Sequence, residues 1–190
     1  YIPKQLLLVG SASYNDDGST TEGTAEGGRQ IVLYSVNDFN FELEQIQSYA
    51  HVMHHEFAHI LHQNVEYDAE FEKITPSYSS SWMQMNDETA RSKGFITAYA
   101  SSSADEDFAE MVSIMLTNSP EDWNNMIESA GNAAAVEALR KKEAIVVAYM
   151  KNNWGVNMKD FQKEVVAAIK AAVRLSLIHI SEPTRPISIS

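Results

Sequence analysis

The sequence contains no cysteine. That excludes a disulfide framework, a thiolate metal site and a cysteine nucleophile, so any bound metal must be held by histidine and carboxylate side chains. Positive charge is scarce too: 14 lysines and arginines stand against 26 aspartates and glutamates, a formal charge of -12. A chain this acidic repels phosphate backbones and anionic lipid surfaces, so nucleic acid is not an expected partner. No apolar run approaches the roughly 20 residues that a membrane-spanning helix needs. Position 1 is Tyr1 and not methionine, so the N-terminus is expected to be processed or truncated, with any signal or lipidation segment out of view. No internal repeat is evident. What remains is a chain of 190 residues, which fits one domain, or one domain plus a small helical appendage, and is long enough to bury a genuine core.

A short apolar run at 5–9 reads as a strand, and residues 10–28, rich in Gly, Ser, Thr and Asp, read as a loop. Residues 31–36 alternate apolar and polar side chains and predict a second strand. From 41 to 63 the period becomes helical, with no Gly or Pro to interrupt it. Residues 64–103 carry few periodic signals but several aromatics, among them Tyr67, Phe71, Tyr78, Trp82 and Tyr99. They predict a long functional loop that shapes a pocket. A helix over 105–117 follows the serines at 101–103, and another is marked by Ser119 as N-cap with Pro120 at its first position. Alanine-rich helices are expected at 133–154 and 158–173, with Gly155 as the stop between them. The fold class is therefore α+β: a small N-terminal sheet followed by a mostly helical body. The string LSLIHISEPTR at 175–185 resembles translated adapter DNA of the kind used in library preparation. Residues 175–190 are thus expected to be a non-native tail, His179 is no ligand candidate, and the native domain is 1–174, cut short near Arg174.

The chemistry concentrates in HHEFAHILHQ at 54–63, which contains HExxH at His55, Glu56 and His59. Residues four apart on a helix share a face, so two imidazoles can converge on one ion with Glu56 beside it. At about 100° per residue, Ile46, Ala50, Met53, Phe57 and Ile60 form an apolar stripe, and His51, His55, His59 and His62 lie opposite. These histidines are expected to face water or a polar cleft, not the core. His51 and His55 make a second pair of the same spacing, but only His55 and His59 bracket a glutamate next to the first histidine. A catalytic zinc needs a third protein ligand and an open position. ASSSADEDFAEMVS offers one, because Glu106 and Glu110 share a helix face opposite Phe108, Met111, Val112 and Met115. Acidic residues at Asp105, Glu106 and Asp107 equally suit the first turn of a helix, where the macrodipole favours negative charge.

Taken together, EGGRQIVLY, HHEFAHILHQ and GFITAYASSSADEDFAEM resemble the bacterial zinc-binding metallopeptidase family, the substrate-import-associated zinc metallohydrolase lipoproteins found beside outer-membrane nutrient-import systems. The likeness spans about 26–117. TAYASSSADEDFAE also resembles the active site of the anthrax lethal factor protease, in which a tyrosine precedes the glutamate ligand by seven residues; here these are Tyr99 and Glu106.

The resemblance implies a zincin-like domain with a gluzincin-like site. One Zn2+ would be held by His55, His59 and Glu106. Glu56 would be the general base, Glu110 would orient a ligand imidazole, and Tyr99 would stabilise the oxyanion or donate a proton. Related gluzincins often carry aspartate where this chain has Glu110. The implied reaction is hydrolysis of a peptide bond by attack of a zinc-bound water. The strand at 31–36 precedes the active-site helix, as the substrate-facing edge strand does in related peptidases, and is expected either to pair with an extended peptide or to be internal. The resemblance also implies an exported outer-membrane lipoprotein, with a peptide or protein substrate and nutrient-import machinery as partners. Two other readings compete: a non-catalytic zinc-containing binding lipoprotein of such a system, and a helical interaction domain with accidental histidines.

Overall fold

The computed structural model describes residues 4–16, 18–39 and 42–181, with side chains described as far as residue 175. β1 (Gln5–Leu8), β4 (Gly23–Glu26) and β5 (Gln30–Leu33) form one sheet in the order β1-β5-β4. β1 runs parallel to β5 in the register Gln5 to Gln30, and β4 runs antiparallel to it in the register Gly23 to Leu33. The turn between β4 and β5 places Gly27 and Gly28 at φ 56° and 64°. A side chain would strain this left-handed backbone, which accounts for the paired glycines of EGGRQ. β2 (Ser13–Tyr14) and β3 (Thr20–Thr21) add a two-residue ladder.

Two expectations need correction here. The segment 10–28 is not simply a loop, since it contains β2, β3 and β4. Residues 31–36 do not form an alternating strand: β5 ends at Leu33, Val36 begins a 3-10 turn, and Ile31, Val32 and Leu33 are all buried. With partners on both sides, β5 is internal. Ile31 and Leu33 pack on Ile60 of the first helix.

That helix, α1 (Leu43–Asn64), lies between the sheet and the helical body. Ile60 faces the sheet, while Ile46, Ala58 and Leu61 enter the main core. Packing on two sides replaces the single apolar stripe expected from the sequence, and Met53 of that stripe is exposed. The helix start expected at 41 lies outside the described residues. Polar side chains lock the other end: Asn64 Nδ2 donates to the Gly28 carbonyl at 2.8 Å, and the Gly28 amide donates to Gln63 Oε1 at 2.7 Å.

The helical body is built around α4 (Ala104–Thr117), which buries Phe108, Met111, Val112, Met115 and Leu116 against α1, α6 (Ala133–Trp154) and α7 (Met158–Ser181). Its N-cap is Ser103, whose Oγ accepts from the Glu106 amide at 3.3 Å. α5 (Pro120–Glu128) starts as the sequence predicts, with Ser119 Oγ accepting from the Asp122 amide at 3.1 Å. Gly155 ends α6 at φ 68°. The expected long loop at 64–103 contains two short helices, α2 (Glu70–Ile74) and α3 (Asp87–Ser92), and two 3-10 turns. Helices of five and six residues do not form by themselves; buried Phe71, for example, anchors α2 against Phe108. α7 crosses residue 175, where the sequence sets the tail apart, and residues 182–190 lie outside the described residues. Among the described residues no helix is long and apolar enough to cross a membrane.

One ion pair is fully enclosed. Lys142 Nζ on α6 donates to Asp107 Oδ2 on α4 at 2.5 Å and to the Gly94 carbonyl at 2.8 Å, and it lies 4.3 Å from the centre of the Phe95 ring. Tyr78 donates to the same aspartate oxygen at 3.0 Å. Burial drives Asp107 up to about 6 and Lys142 down, against the attraction between them.

Candidate metal centre

α1 and α4 pack face to face, and their polar positions meet in a tight triangle. His55 Nε2 and His59 Nε2, one turn apart on α1, are 3.0 Å from each other. Glu106 Oε2, in the first turn of α4, is 2.9 Å from the former and 3.2 Å from the latter. The remaining nitrogen of His55 is committed elsewhere: Nδ1 lies 2.8 Å from Glu110 Oε1. Glu110 is buried, accepts from Thr97 Oγ1 at 2.7 Å through its second oxygen, and meets His51 Nε2 at 3.1 Å.

This arrangement fits a metal ion. With the His55 proton on Nδ1, donated to Glu110, the Nε2 lone pair points at the second imidazole and at a carboxylate. Two imidazole nitrogens and a carboxylate oxygen converging on one point are a donor set suited to a divalent cation such as zinc. A second trio, His51, His55 and Glu110, could also gather around an ion. Its carboxylate is buried, whereas Glu106 keeps a quarter of its side chain exposed.

The charges follow from the same contacts. Burial opposes charge on His55, but hydrogen bonds to Glu106 and Glu110 outweigh it and lift its pKa to about 10. Burial would raise Glu106, yet bonding to His55 and His59 lowers it to about 2. Glu110 is likewise held well below the usual carboxylate range by His51 and His55, against its burial. Glu56 behaves oppositely: burial raises it, and the neighbouring imidazoles only partly counter this. Its side chain lies against β4 so closely that a Cβ on Gly23 would sit 2.8 Å from Glu56 Cγ and 3.0 Å from Oε1. Tyr99 stands on the cleft wall, its ring 5.8 Å from that of His55. Burial first, and then the charge of Glu106, push its pKa up.

A family model described as "Putative zinc-binding metallo-peptidase" matches residues 1–159. The chain belongs to this family. A crystal structure of a "putative zinc-binding metallo-peptidase" from Bacteroides caccae is similar to it at 35% sequence identity, with a TM-score of 0.72 over 92% of this chain and 67% of that one. No curated protein matches the chain.

In this member of the family the cleft beside the donor triangle has a volume of about 460 Å3. Thr21 and Gly23 line one side, Glu56 the floor, and Trp82, Met83 and Tyr99 the other side. Trp82 packs edge-on against Tyr99 at 4.9 Å. Of the residues singled out in the sequence, His55, Glu56, Tyr99 and Glu110 line the cleft, and His59 and Glu106 meet His55 beside it. The histidines lie neither in water nor in the apolar core but at the seam between α1 and α4. Several site residues had no role in the sequence reading. Thr97 lies two positions before Tyr99 in the same motif, and Gly23 lies just ahead of EGGRQ. The helical period puts His62 on the histidine face without assigning it a task, yet it touches His59.

Proposed function

We propose that the chain is a zinc-dependent hydrolase that cleaves peptide bonds, with His55, His59 and Glu106 holding one zinc ion. The observation that carries this reading is the convergence of His55 Nε2, His59 Nε2 and Glu106 Oε2, with the other His55 nitrogen fixed by Glu110. Zinc at such a site supplies a Lewis acid that acidifies water and polarises a carbonyl. Glu56 is next to His55 but outside the donor triangle, and its raised pKa suits a group that takes a proton from water and passes it to the leaving amine. The Tyr99 hydroxyl, on the wall of the cleft, donates to the oxygen on which negative charge develops. Glu110 holds the His55 ring in the tautomer that leaves Nε2 bare.

The substrate strand belongs at β4, not at the internal β5. β4 is an edge of the sheet beside α1. The alternation of an antiparallel pair turns the backbone amides of Gly23 and Ala25 away from β5. Gln63 Nε2 caps the Ala25 carbonyl at 3.2 Å, which leaves Gly23, directly over Glu56, to pair with an extended peptide. The setting implied by the resemblance, an exported lipoprotein beside import machinery, belongs to the same proposal.

Metal analysis followed by cleavage of a peptide library tests the reading. The wild-type protein should hold about one zinc and cut peptides, and Glu56→Gln should keep the zinc while losing about 10²- to 10⁴-fold in rate. Zinc bound without hydrolysis of any peptide would turn the reading towards a binding lipoprotein. Glu56→Gln at the wild-type rate would remove HExxH as the catalytic centre.

A further inference from the structure

His62 lies three residues after His59 on α1, and its Nε2 is 2.8 Å from His59 Nδ1. Its other nitrogen, Nδ1, faces Asp105 Oδ1 at 3.9 Å, and that aspartate oxygen accepts the Tyr67 hydroxyl at 2.7 Å. The imidazole is held edge-on by two rings, Tyr67 at 5.7 Å and Phe108 at 6.1 Å, which are stacked on each other at 4.4 Å. Only a tenth of its side chain is exposed. This is a built environment for a side chain with no apolar role.

We propose that His62 is the positioning residue for the ligand His59, accepting its Nδ1 proton so that Nε2 presents a lone pair to the metal. The inference rests on the zinc reading above. A neutral imidazole carries one ring proton. For His59 Nε2 to be a ligand, that proton must be on Nδ1, and the acceptor within hydrogen-bond distance is His62 Nε2. The His62 proton is then on Nδ1, 3.9 Å from Asp105 Oδ1, whose charge favours a proton there and whose carboxylate is held by the Tyr67 hydroxyl. Each ligand imidazole thus has its own partner: Glu110 for His55 and His62 for His59. The choice of an imidazole has a physical reason. Glu56, Glu106 and Glu110 already crowd the site with carboxylates, and a neutral acceptor orients the second ring without adding a charge. The first turn of α4 therefore serves both histidines, through Glu106 at the triangle and through Asp105 behind His62.

The test is zinc affinity, measured by competition with a chelator, in the wild type, His62→Leu, His62→Gln and Asp105→Asn, with the melting temperature of each metal-free protein alongside. Loss of the acceptor in His62→Leu should weaken zinc binding about 10- to 100-fold. Glutamine keeps an acceptor oxygen at similar reach, so His62→Gln should recover most of that affinity, which a purely space-filling role does not predict. Asp105→Asn should weaken zinc by a smaller factor with the metal-free melting temperature little changed. If His62→Leu binds zinc within about twofold of wild type, or if His62→Gln is as weak as His62→Leu while equally well folded, the inference is overturned. Should His62→Leu fail to fold, His62→Gln and Asp105→Asn decide: wild-type affinity in the first with a measurable loss in the second supports the relay, and an unchanged Asp105→Asn overturns it. A wild-type protein that binds no zinc removes the parent reading before any variant is compared, so the two failures are distinguishable.

Discussion

The Tyr99 hydroxyl and its ring do separate jobs, and one substitution divides them. The ring packs edge-on against Trp82, and the hydroxyl is the group the proposed role needs. Tyr99→Phe keeps the packing and removes the donor, so kcat should fall roughly 10- to 10³-fold with zinc content and KM nearly unchanged, as for an interaction made mainly in the transition state. Steady-state kinetics on a cleavable peptide checks this, and a wild-type kcat would return Tyr99 to the role of a wall. The ligand residues also predict a pH profile for the metal-free protein. The pKa of Glu106 is depressed from 4.5 to about 2, so its contribution to stability is present above 4.5 and lost as pH falls towards 2. The pKa of His55 is raised from 6.5 to about 10, so its contribution is present below 6.5 and lost as pH rises through 10. For this pair the melting temperature of chelated protein should be highest between pH 4.5 and 6.5 and decline on either side. Zinc competes with the His55 proton, so the rise in melting temperature on adding zinc should grow with pH across the neutral range. A zinc effect that shrinks over that range would contradict the assignment.

At the scale of elements, the contact between β4 and α1 sets where Glu56 points. A Cβ on Gly23 would collide with Glu56 Cγ and with Val52 Cγ1, each at 2.8 Å. Gly23→Ala should therefore displace the Glu56 carboxylate, leaving zinc in place while kcat/KM falls by about 10²-fold. Zinc analysis and kinetics on the same preparation would show it, and full activity would mean that Glu56 has room the geometry denies it. The pairing behind this prediction was not legible in the sequence. Residues 23–26, GTAE, contain no β-branched run, and β4 exists because β5 pairs with it. Whether a strand is internal or at an edge depends on neighbours far along the chain, so residues 31–36 could not disclose that β5 has partners on both sides. α2 and α3 were hidden for a related reason, being too short to signal a period and dependent on contacts such as Phe71 with Phe108. The long helices were legible because their signals are local: the HExxH spacing, the serines before Ala104, Ser119 with Pro120, and Gly155 as a stop. The meeting of His62 with His59 is a local i, i+3 pair, but its meaning depends on Asp105 from another helix.

The molecule as a whole is tied together across α4 and α6 by the enclosed pair of Lys142 and Asp107. Removing one partner strands a buried charge, so Lys142→Met should cost about 3–5 kcal/mol, a fall in melting temperature of roughly 6–20 °C for a chain of this size. Combining it with Asp107→Asn should cost less than the two single changes added together, since neither variant then leaves an ion alone. Additive losses in thermal unfolding would show that the pair is not coupled. A last consequence follows from the clasp of Gln63 and Asn64 on Gly28. It fastens the turn of the β4–β5 hairpin to the end of α1, so the strand edge and the helix bearing both histidines form one stiff piece. The facing wall is another matter: Trp82 and Met83 ride on a short 3-10 segment whose residues are largely open to solvent. The two sides of the cleft are thus unequal: the histidine side is clasped to the sheet, and the Trp82 side is the more exposed.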